Sequence, residues 1–534
     1  MSQLKMLRAA GVAVADRAWP ASPAILRKAP VRYRSALKSR MRTVVECLHT
    51  ESASADDAAL YSQLCSVLEA GAQRSAHWLA ISVILASLPT SNSLATFARA
   101  CELDGADSAL ADLLERTFDA EQEPSPNLLS PVEIVRNGVC VDVWLTSKAD
   151  VATGIQRVVR ELTRRWDDSR SITLVGWTDD QTALRLLTET EHLRALTGST
   201  GRAAAAESAT LDSALTGLPL PTIVVPWGGV LVEPELVGDP PRALRLMGLA
   251  QHSNVELSVI AYDTVPVSSA ETANDGVSGS FAKYLSALKH STRLAADSQS
   301  AAGEFVGFRR MLRAQGLPGP DIIGLPLAID APPSDAAAEA AVRELLGAFS
   351  LPLVLCVGSH EPRKNHLAVL HAAELAWRRG HRVIVAFVGG SGWHSEHFDA
   401  GVLRLRAANR PIATVRALPD AQLWAAYRVA RCVLFPSLHE GFGLPIAEAI
   451  ASGVPVITSN FGSMREVAQH GGALLIDPRD DHALRDAIES LLTDDALHAL
   501  LREQAAAVPV RTWDDYADEA WAYLVEGQNP ASAG

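Results

Sequence analysis

The chain predicts an α/β fold of two consecutive Rossmann-like units facing a cleft, preceded by a helical extension. Three observations lead there. At 534 residues the chain is too long for a single hydrophobic core. From Val132 onward short apolar runs alternate with amphipathic helical stretches, the pattern of a parallel sheet covered by helices on both faces. Before Val132 the apolar residues recur at helical spacing and strand signals are almost absent. A hydrophobic content of 48% with 20% charged residues fits a folded globular chain and excludes global disorder. The net charge of -13, without a basic domain, excludes a dedicated nucleic-acid binder.

The extension covers residues 1–130, with helices expected in Asp57–Gly71, Ala76–Leu88 and Ser93–Phe118. Its most apolar stretch, His77–Leu88, falls short of the ~20 residues a membrane span needs and reads as a buried helix. Between Met1 and Val45 ten Lys or Arg stand against one acid, Asp16. Arg27, Lys28, Arg32, Arg34, Lys38, Arg40 and Arg42 form the dense part. Such an arm suits an anionic membrane surface, at about 1 kcal/mol per cation, or equally a solvated helix face. The polar, Pro-bearing stretch Glu121–Pro131 reads as a linker.

The first Rossmann-like unit is expected over residues 131–330. Strands are expected at Val139–Leu145, Ile172–Trp177, Thr222–Val225, Val255–Tyr262 and Arg293–Ala296, with helices at Ile155–Trp166, Ser280–Lys289 and Ser300–Gln315. Thr197–Thr216, rich in Ala, Ser and Thr, reads as a loop or insertion. The second unit, residues 331–510, alternates more regularly. Its strands are expected at Leu353–Val357, Val383–Val388, Ala413–Ala417, Cys432–Phe435, Val454–Thr458 and Ala473–Ile476. A last helix, Trp513–Leu524 within residues 511–534, is expected to pack back on the first unit. Six cysteines without metal or redox spacing point to a reducing cytosol. Arg8 and Asp16 interrupt the short apolar run Ala9–Ala15, which argues against a signal peptide. A cytoplasmic protein is expected, with peripheral contact at the inner face of a membrane if the basic arm binds lipid.

The strongest chemical signal is F-P-S-L-H-E-G-F-G-L-P-I-A-E, Phe435–Glu448. A strand ends at Phe435, and Pro445 opens a helix in its preferred first turn. Gly441 and Gly443 let backbone approach a ligand closely, and the free N–H groups of the helix start suit a phosphate. Glu440 and Glu448 both lie near that start, and carboxylates accept well from sugar hydroxyls. The spacing Glu440-x7-Glu448 around G-F-G-L-P resembles the E-x7-E signature of the retaining glycosyltransferases of family four. The resemblance continues through Ala451–Ile457 and Gly462–Val467 and covers most of residues 350–490. It implies a GT-B fold and transfer of a sugar from a nucleotide diphosphate donor with retention at the anomeric carbon. By the same resemblance Glu440 contacts the donor sugar, Glu448 contacts ribose hydroxyls, and the backbone of Gly441, Phe442, Gly443 and Leu444 holds the diphosphate and sugar.

A second segment, Val357–His366, runs from a strand through Gly358 into Arg363-Lys364 at a helix start. Fixed cations aimed at a departing diphosphate stabilise the charge that grows as the glycosidic bond breaks. The segment resembles the family's E-P-R-K-N, which makes Lys364 the diphosphate ligand and Arg363 a second candidate. Ser359 stands where many relatives carry an arginine. In the first unit, Thr153-Gly154-Ile155-Gln156-Arg157 resembles the T-G-I-x-R loop, with Gly154 as the candidate donor contact and Gln156 or Arg157 as weaker ones. At the end of a strong apolar strand, Tyr262 replaces the histidine of many relatives, and the following Asp263 is a candidate on the acceptor side. Gly389–Gly392 and the backbone near Leu418 and Pro419 are expected beside the nucleotide base.

No Asp-x-Asp pair ends a strand, so no metal or other cofactor is expected to be required, and Lys364 with helix dipoles would serve instead. The expected partners are a nucleotide-sugar donor and a saccharide, lipid-linked or other acceptor. The function implied is transfer in bacterial polysaccharide or glycoconjugate synthesis, where relatives often handle mannose or similar sugars. Two alternatives stay open: a catalytically silent sugar-nucleotide-binding scaffold, and a GT-B-fold epimerase or phosphorylase.

Overall fold

The structure is a computed structural model that describes residues 29–48, 52–69, 71–118, 124–149, 153–198 and 220–529. The chain divides into two compact units. One comprises Met1–Val259 with Lys283–Arg293, the other Ile260–Ala282 with Leu294–Gly534. Segment 294–330 therefore groups with the second unit.

The first unit begins with helices Val31–Leu48, Asp57–Val67, Arg74–Leu85, Ser91–Asp104 and Ala106–Thr117. Gly105, at φ +85°, breaks the helix expected over Ser93–Phe118 into two, because glycine takes this conformation without a Cβ penalty. Residues His77–Ile84 are all buried, so the most apolar stretch is a core helix. Arg40 is buried as well. Its guanidinium donates to the carbonyls of Ile84 (3.0 Å), Asn127 (2.9 Å) and Ser130 (2.7 Å), stitching the extension to the segment that leads into the sheet. Lys38 pairs with Asp57. At Arg40, then, the basic arm is structural, which neither a membrane-facing nor a solvated reading anticipates. Arg27 and Lys28 lie outside the described residues, as do 121–123 of the expected linker and 199–216 of the expected insertion. Among the described residues no helix is long and apolar enough to cross a membrane. All six cysteines are free.

The sheet of the first unit uses β1 (Val132–Arg136), β2 (Val139–Asp142), β3 (Ile172–Trp177), β4 (Leu184–Leu186), β5 (Ile223–Trp227), β6 (Val230–Glu233) and β7 (Glu256–Ala261), in the order β1-β5-β4-β3-β2-β6-β7. Pairings are parallel except at β4, which runs antiparallel to both neighbours. The strand expected over Val139–Leu145 stops at Asp142. There the Asp142 side chain accepts from Trp144 N, and Glu235 accepts from Leu145 N and Thr146 N, which turns the chain into the short helix Trp144–Lys148. Asp142, Glu233 and Glu235 are buried with, among the described residues, a single counter-ion, Arg242, itself fully enclosed and 2.9 Å from Asp142. Burial, then the neighbouring Asp142 charge, pushes Glu233 far above the ordinary carboxylate range.

In the second unit the end of β7 is followed by β8 (Arg293–Ala296) and β9 (Asp321–Gly324), joined through Asp297 N to Ala261 O (3.0 Å) and Leu325 N to Ala296 O (2.7 Å). A six-stranded, wholly parallel sheet then forms from β10 (Leu353–Val357), β11 (Ile384–Val388), β12 (Ile412–Val415), β13 (Cys432–Phe435), β14 (Val456–Ser459) and β15 (Ala473–Ile476). Its order is β12-β11-β10-β13-β14-β15. Apolar clusters lie on both faces, one around Tyr427, Ile446 and Val456, the other around Val369, Phe387 and Leu491, as expected of a sheet sandwiched by helices. The last helix, Trp513–Leu524, has the predicted bounds. It lies in the second unit, where the Tyr523 hydroxyl reaches Asp321 at 3.3 Å and Arg511 reaches the Pro326 carbonyl.

Candidate functional site

In the second sheet the strand order reverses between β10 and β13, which run parallel, and ligands of such sheets bind at the carboxyl ends of the strands near that switch point. Two loops leave these ends. After β10 comes Gly358–Asn365, with a single 3₁₀ turn at Pro362–Lys364. After β13 comes Pro436–Gly443, leading into helix Leu444–Ala451. Backbone ties them together: Leu438 N donates to Arg363 O at 2.8 Å, and Ser437 Oγ lies 3.0 Å from the same carbonyl.

Between these loops Glu440 is held by three donors. Lys364 Nζ lies 2.6 Å from Oε1, Ser437 Oγ also 2.6 Å from Oε1, and Arg363 Nη1 2.6 Å from Oε2. Side-chain exposure is 9% for Glu440, 12% for Lys364 and 14% for Arg363, so the trio is largely removed from water. Burial alone would raise the Glu440 carboxyl, but Arg363 and Lys364 outweigh it and hold it down at about 2. The Lys364 ammonium lies below its ordinary value because burial outweighs the pull of Glu440. Arg363 also donates to the His439 carbonyl (2.7 Å) and approaches Glu361 (3.4 Å). The structure thus brings together three residues predicted separately from two motifs. It aims two cations and one carboxylate at the same strand ends.

Asp263 follows β7. Its Oδ1 accepts from Val265 N at 3.0 Å, a local cap, and burial raises its carboxyl against the lowering effect of Arg363. Gly441 is wedged against this strand end. A Cβ there would sit 2.4 Å from the Tyr262 carbonyl oxygen and 2.7 Å from Asp297 Oδ2. Its own carbonyl accepts from Ser298 Oγ at 2.6 Å. Phe442 is buried, and Gly443 takes φ +100° to start the helix at Leu444. Glu448, on that helix, is buried and accepts from the Tyr427 hydroxyl at 2.5 Å. Gly154 is the first residue of helix Gly154–Ser169 in the first unit, whose Thr153 and Gln156 form a reciprocal cap. The Gln156 side chain is thereby committed to the Thr153 N–H at 2.9 Å.

A pocket of ≈ 350 Å³ opens beside Gly389 and Ser391, lined also by His360, Phe398, Asp399, Arg406, Thr414 and Arg416. His360 and Phe398 give it an aromatic wall, with Phe387 and His366 packed behind them, and burial depresses the His366 imidazole to about 3.

The sequence reading passed over several residues of this cluster. Ser437 and His439 sit inside the quoted F-P-S-L-H-E segment and were available to it. Glu304, 2.6 Å from His439 Nε2, and Asp297, buried with one oxygen unpartnered, carry no local motif. Only the tertiary fold delivers them.

Residues 348–508 match the family of glycosyl transferases group 1. A serotype-specific mannosyltransferase WbdA of Escherichia coli is 29% identical over 216 residues, 39% of this chain and 26% of its own length. The O-antigen chain mannosyltransferase B of Escherichia coli is 37% identical over 143 residues, 27% of this chain and 37% of its own. The matched part is thus less than half the length of either relative. Among solved structures, sucrose-phosphate synthase from Thermosynechococcus elongatus aligns with a TM-score of 0.50 at 18% identity, over 74% of this chain and 100% of that one. The likeness shows the fold, which is of the GT-B class.

Proposed function

We propose that this chain, whose residues 348–508 match the glycosyl transferases group 1 family, transfers a sugar from a nucleotide diphosphate donor to a saccharide, lipid-linked or other acceptor, in the synthesis of a bacterial polysaccharide or glycoconjugate. The observation that carries the reading is the buried Arg363–Glu440–Lys364 trio at the strand ends. Its two cations meet the donor diphosphate and its carboxylate meets the sugar hydroxyls. The pocket beside Gly389 takes the nucleotide base. Glu448 orients toward ribose from a position fixed by Tyr427. The mannosyltransferase relatives favour mannose or a similar sugar.

In the proposed reaction the bond from the anomeric carbon to the diphosphate oxygen breaks while the acceptor oxygen bonds to the same face of that carbon. The acceptor proton passes to the departing diphosphate, so configuration is retained. Arg363 and Lys364 stabilise the charge that collects on the leaving group, preorganised in a site mostly free of water. Asp263, its carboxyl raised by burial, stands on the acceptor side. The site draws its positive charge from these side chains and from the start of helix Leu444–Ala451. Calorimetric titration with UDP, GDP and ADP tests the reading. One of them should bind the wild type and lose at least about tenfold in affinity in Lys364→Ala, in line with a buried charge-assisted contact. Failure of all three to bind would contradict it.

A further inference from the structure

Beyond the two motifs, one side-chain pair joins the segments that carry the predicted catalytic groups. His439 Nε2 lies 2.6 Å from Glu304 Oε1, with side-chain exposures of 20% and 24%. The other ring nitrogen, Nδ1, is 3.1 Å from Ser269 Oγ and 3.4 Å from Ser268 Oγ. Glu304 stands one turn into helix Gln299–Ala314, and its second oxygen accepts from Thr264 N (2.9 Å) and Thr264 Oγ1 (2.5 Å). One carboxylate therefore grips the turn that begins with Asp263 and also the residue next to Glu440. The main chain of His439 is engaged too, since its carbonyl receives Arg363 Nη1.

We propose that His439, clamped by Glu304, is a positioning residue for Glu440, holding the Glu440 loop at a fixed distance from the Asp263–Thr264 turn. This rests on the transferase reading above. Neither residue touches the trio through its side chain, so the effect passes through the loop backbone. A shift of His439 moves the Glu440 carboxylate and the Gly441 wedge together.

Charge makes the clamp conditional. The groups facing the imidazole are Glu304 from helix Gln299–Ala314, Asp263 from the turn after β7, Arg363 from the 3₁₀ turn, and the hydroxyls of Ser268 and Ser269. The hydrogen bond to Glu304 raises the imidazole above its ordinary value, burial opposes it, Asp263 adds to the rise and Arg363 subtracts. Burial acts to raise Glu304, but His439 and Thr264 bring it below the ordinary value. The pair is accordingly ionic below the raised imidazole value, with both ring N–H groups donating. As pH rises through that value His439 loses its charge, and the ion pair with Glu304 gives way to a weaker neutral hydrogen bond. The loop then loosens.

The test compares wild type, Glu304→Gln and His439→Asn in two measurements. Histidine NMR titration reads the pair directly, the His439 resonance being the one missing from His439→Asn. Its midpoint should lie above that of an ordinary histidine and fall in Glu304→Gln. Donor turnover, followed as nucleoside diphosphate release across pH, reads the consequence. The alkaline limb of kcat should move to lower pH in Glu304→Gln, with about a tenfold loss of kcat near neutrality and little change in KM, as expected when a group needed in the transition state is displaced. If His439→Asn melts below the assay temperature, the isosteric Glu304→Gln still carries the comparison. An unmoved NMR midpoint overturns the proposal. So does an unchanged pH profile in an enzyme whose wild type turns donor over, and that outcome leaves the transferase reading standing. If the wild type neither binds nor cleaves any donor although the NMR midpoint falls, the transferase reading has failed and the positioning role falls with it.

Discussion

Replacing Gly441 by alanine tests how tightly the donor loop is seated. The added Cβ would lie 2.4 Å from the Tyr262 carbonyl oxygen and 2.7 Å from Asp297 Oδ2. Carbon and oxygen ordinarily come no closer than roughly 3.3 Å, so the loop must withdraw by about 1 Å. The Tyr262 carbonyl follows directly on β7, where the backbone has little freedom to yield. The displaced part is then the loop itself, with Glu440 one residue away and the Ser298–Gly441 hydrogen bond of 2.6 Å lengthened. Overpacking of this size costs about 1–3 kcal/mol of stability. A misplacement of about 1 Å in a catalytic constellation costs on the order of 100-fold in rate. The assay is the initial rate of nucleoside diphosphate release at saturating donor, beside a thermal melt. Gly303→Ala is the control. Gly303 is an exposed helical position with nothing within 4 Å of its Cβ, so alanine there should stabilise by up to about 1 kcal/mol and leave the rate alone. A Gly441→Ala protein with wild-type rate and wild-type melting would show that the loop is not wedged against the end of β7.

Acid should expose the Glu440 trio. Its carboxyl is held at about 2 against an ordinary value of 4.5, so the stability it contributes is complete above 4.5 and is lost as pH falls toward 2. Glu440→Gln should flatten the wild-type decline of stability over that window in chemical denaturation at stepped pH. Arg40→Ala should destabilise the first unit by on the order of 3 kcal/mol, because three carbonyls lose a buried charged donor. Denaturant unfolding followed by Trp fluorescence would show it. Arg242→Met should cost a similar amount or more, on the order of 3–5 kcal/mol, since Asp142, Glu233 and Glu235 would keep their burial without their cation. Raising the pH should deepen that defect.

The second unit could be read from its sequence almost element by element. Leu353–Val357, Cys432–Phe435 and Ala473–Ile476 are continuous apolar runs bounded by turn residues, which leave little room for another assignment. In the first unit the same logic overran at Asp142, where two side-chain caps bend an apolar run that periodicity alone would extend. It also missed the three-residue strand β4, too short for any pattern. Motif spacing located Lys364, Arg363 and Glu440, but not that they would form one ion cluster, because Lys364 and Glu440 lie 76 apart in sequence and meet only through the β10–β13 pairing. Arg40 misled for the opposite reason. In sequence it belongs to a basic arm, and only its distant carbonyl partners show it to be an internal strut.

Transfer chemistry at the Arg363–Glu440–Lys364 trio is read by incubating the purified chain with a panel of nucleotide sugars and measuring free nucleoside diphosphate, for wild type, Lys364→Ala and Glu440→Ala. One donor should be consumed by the wild type, and both variants should lose the activity by on the order of 100-fold or more. A wild type that leaves every donor intact, or variants as active as the wild type, would contradict transfer at the trio.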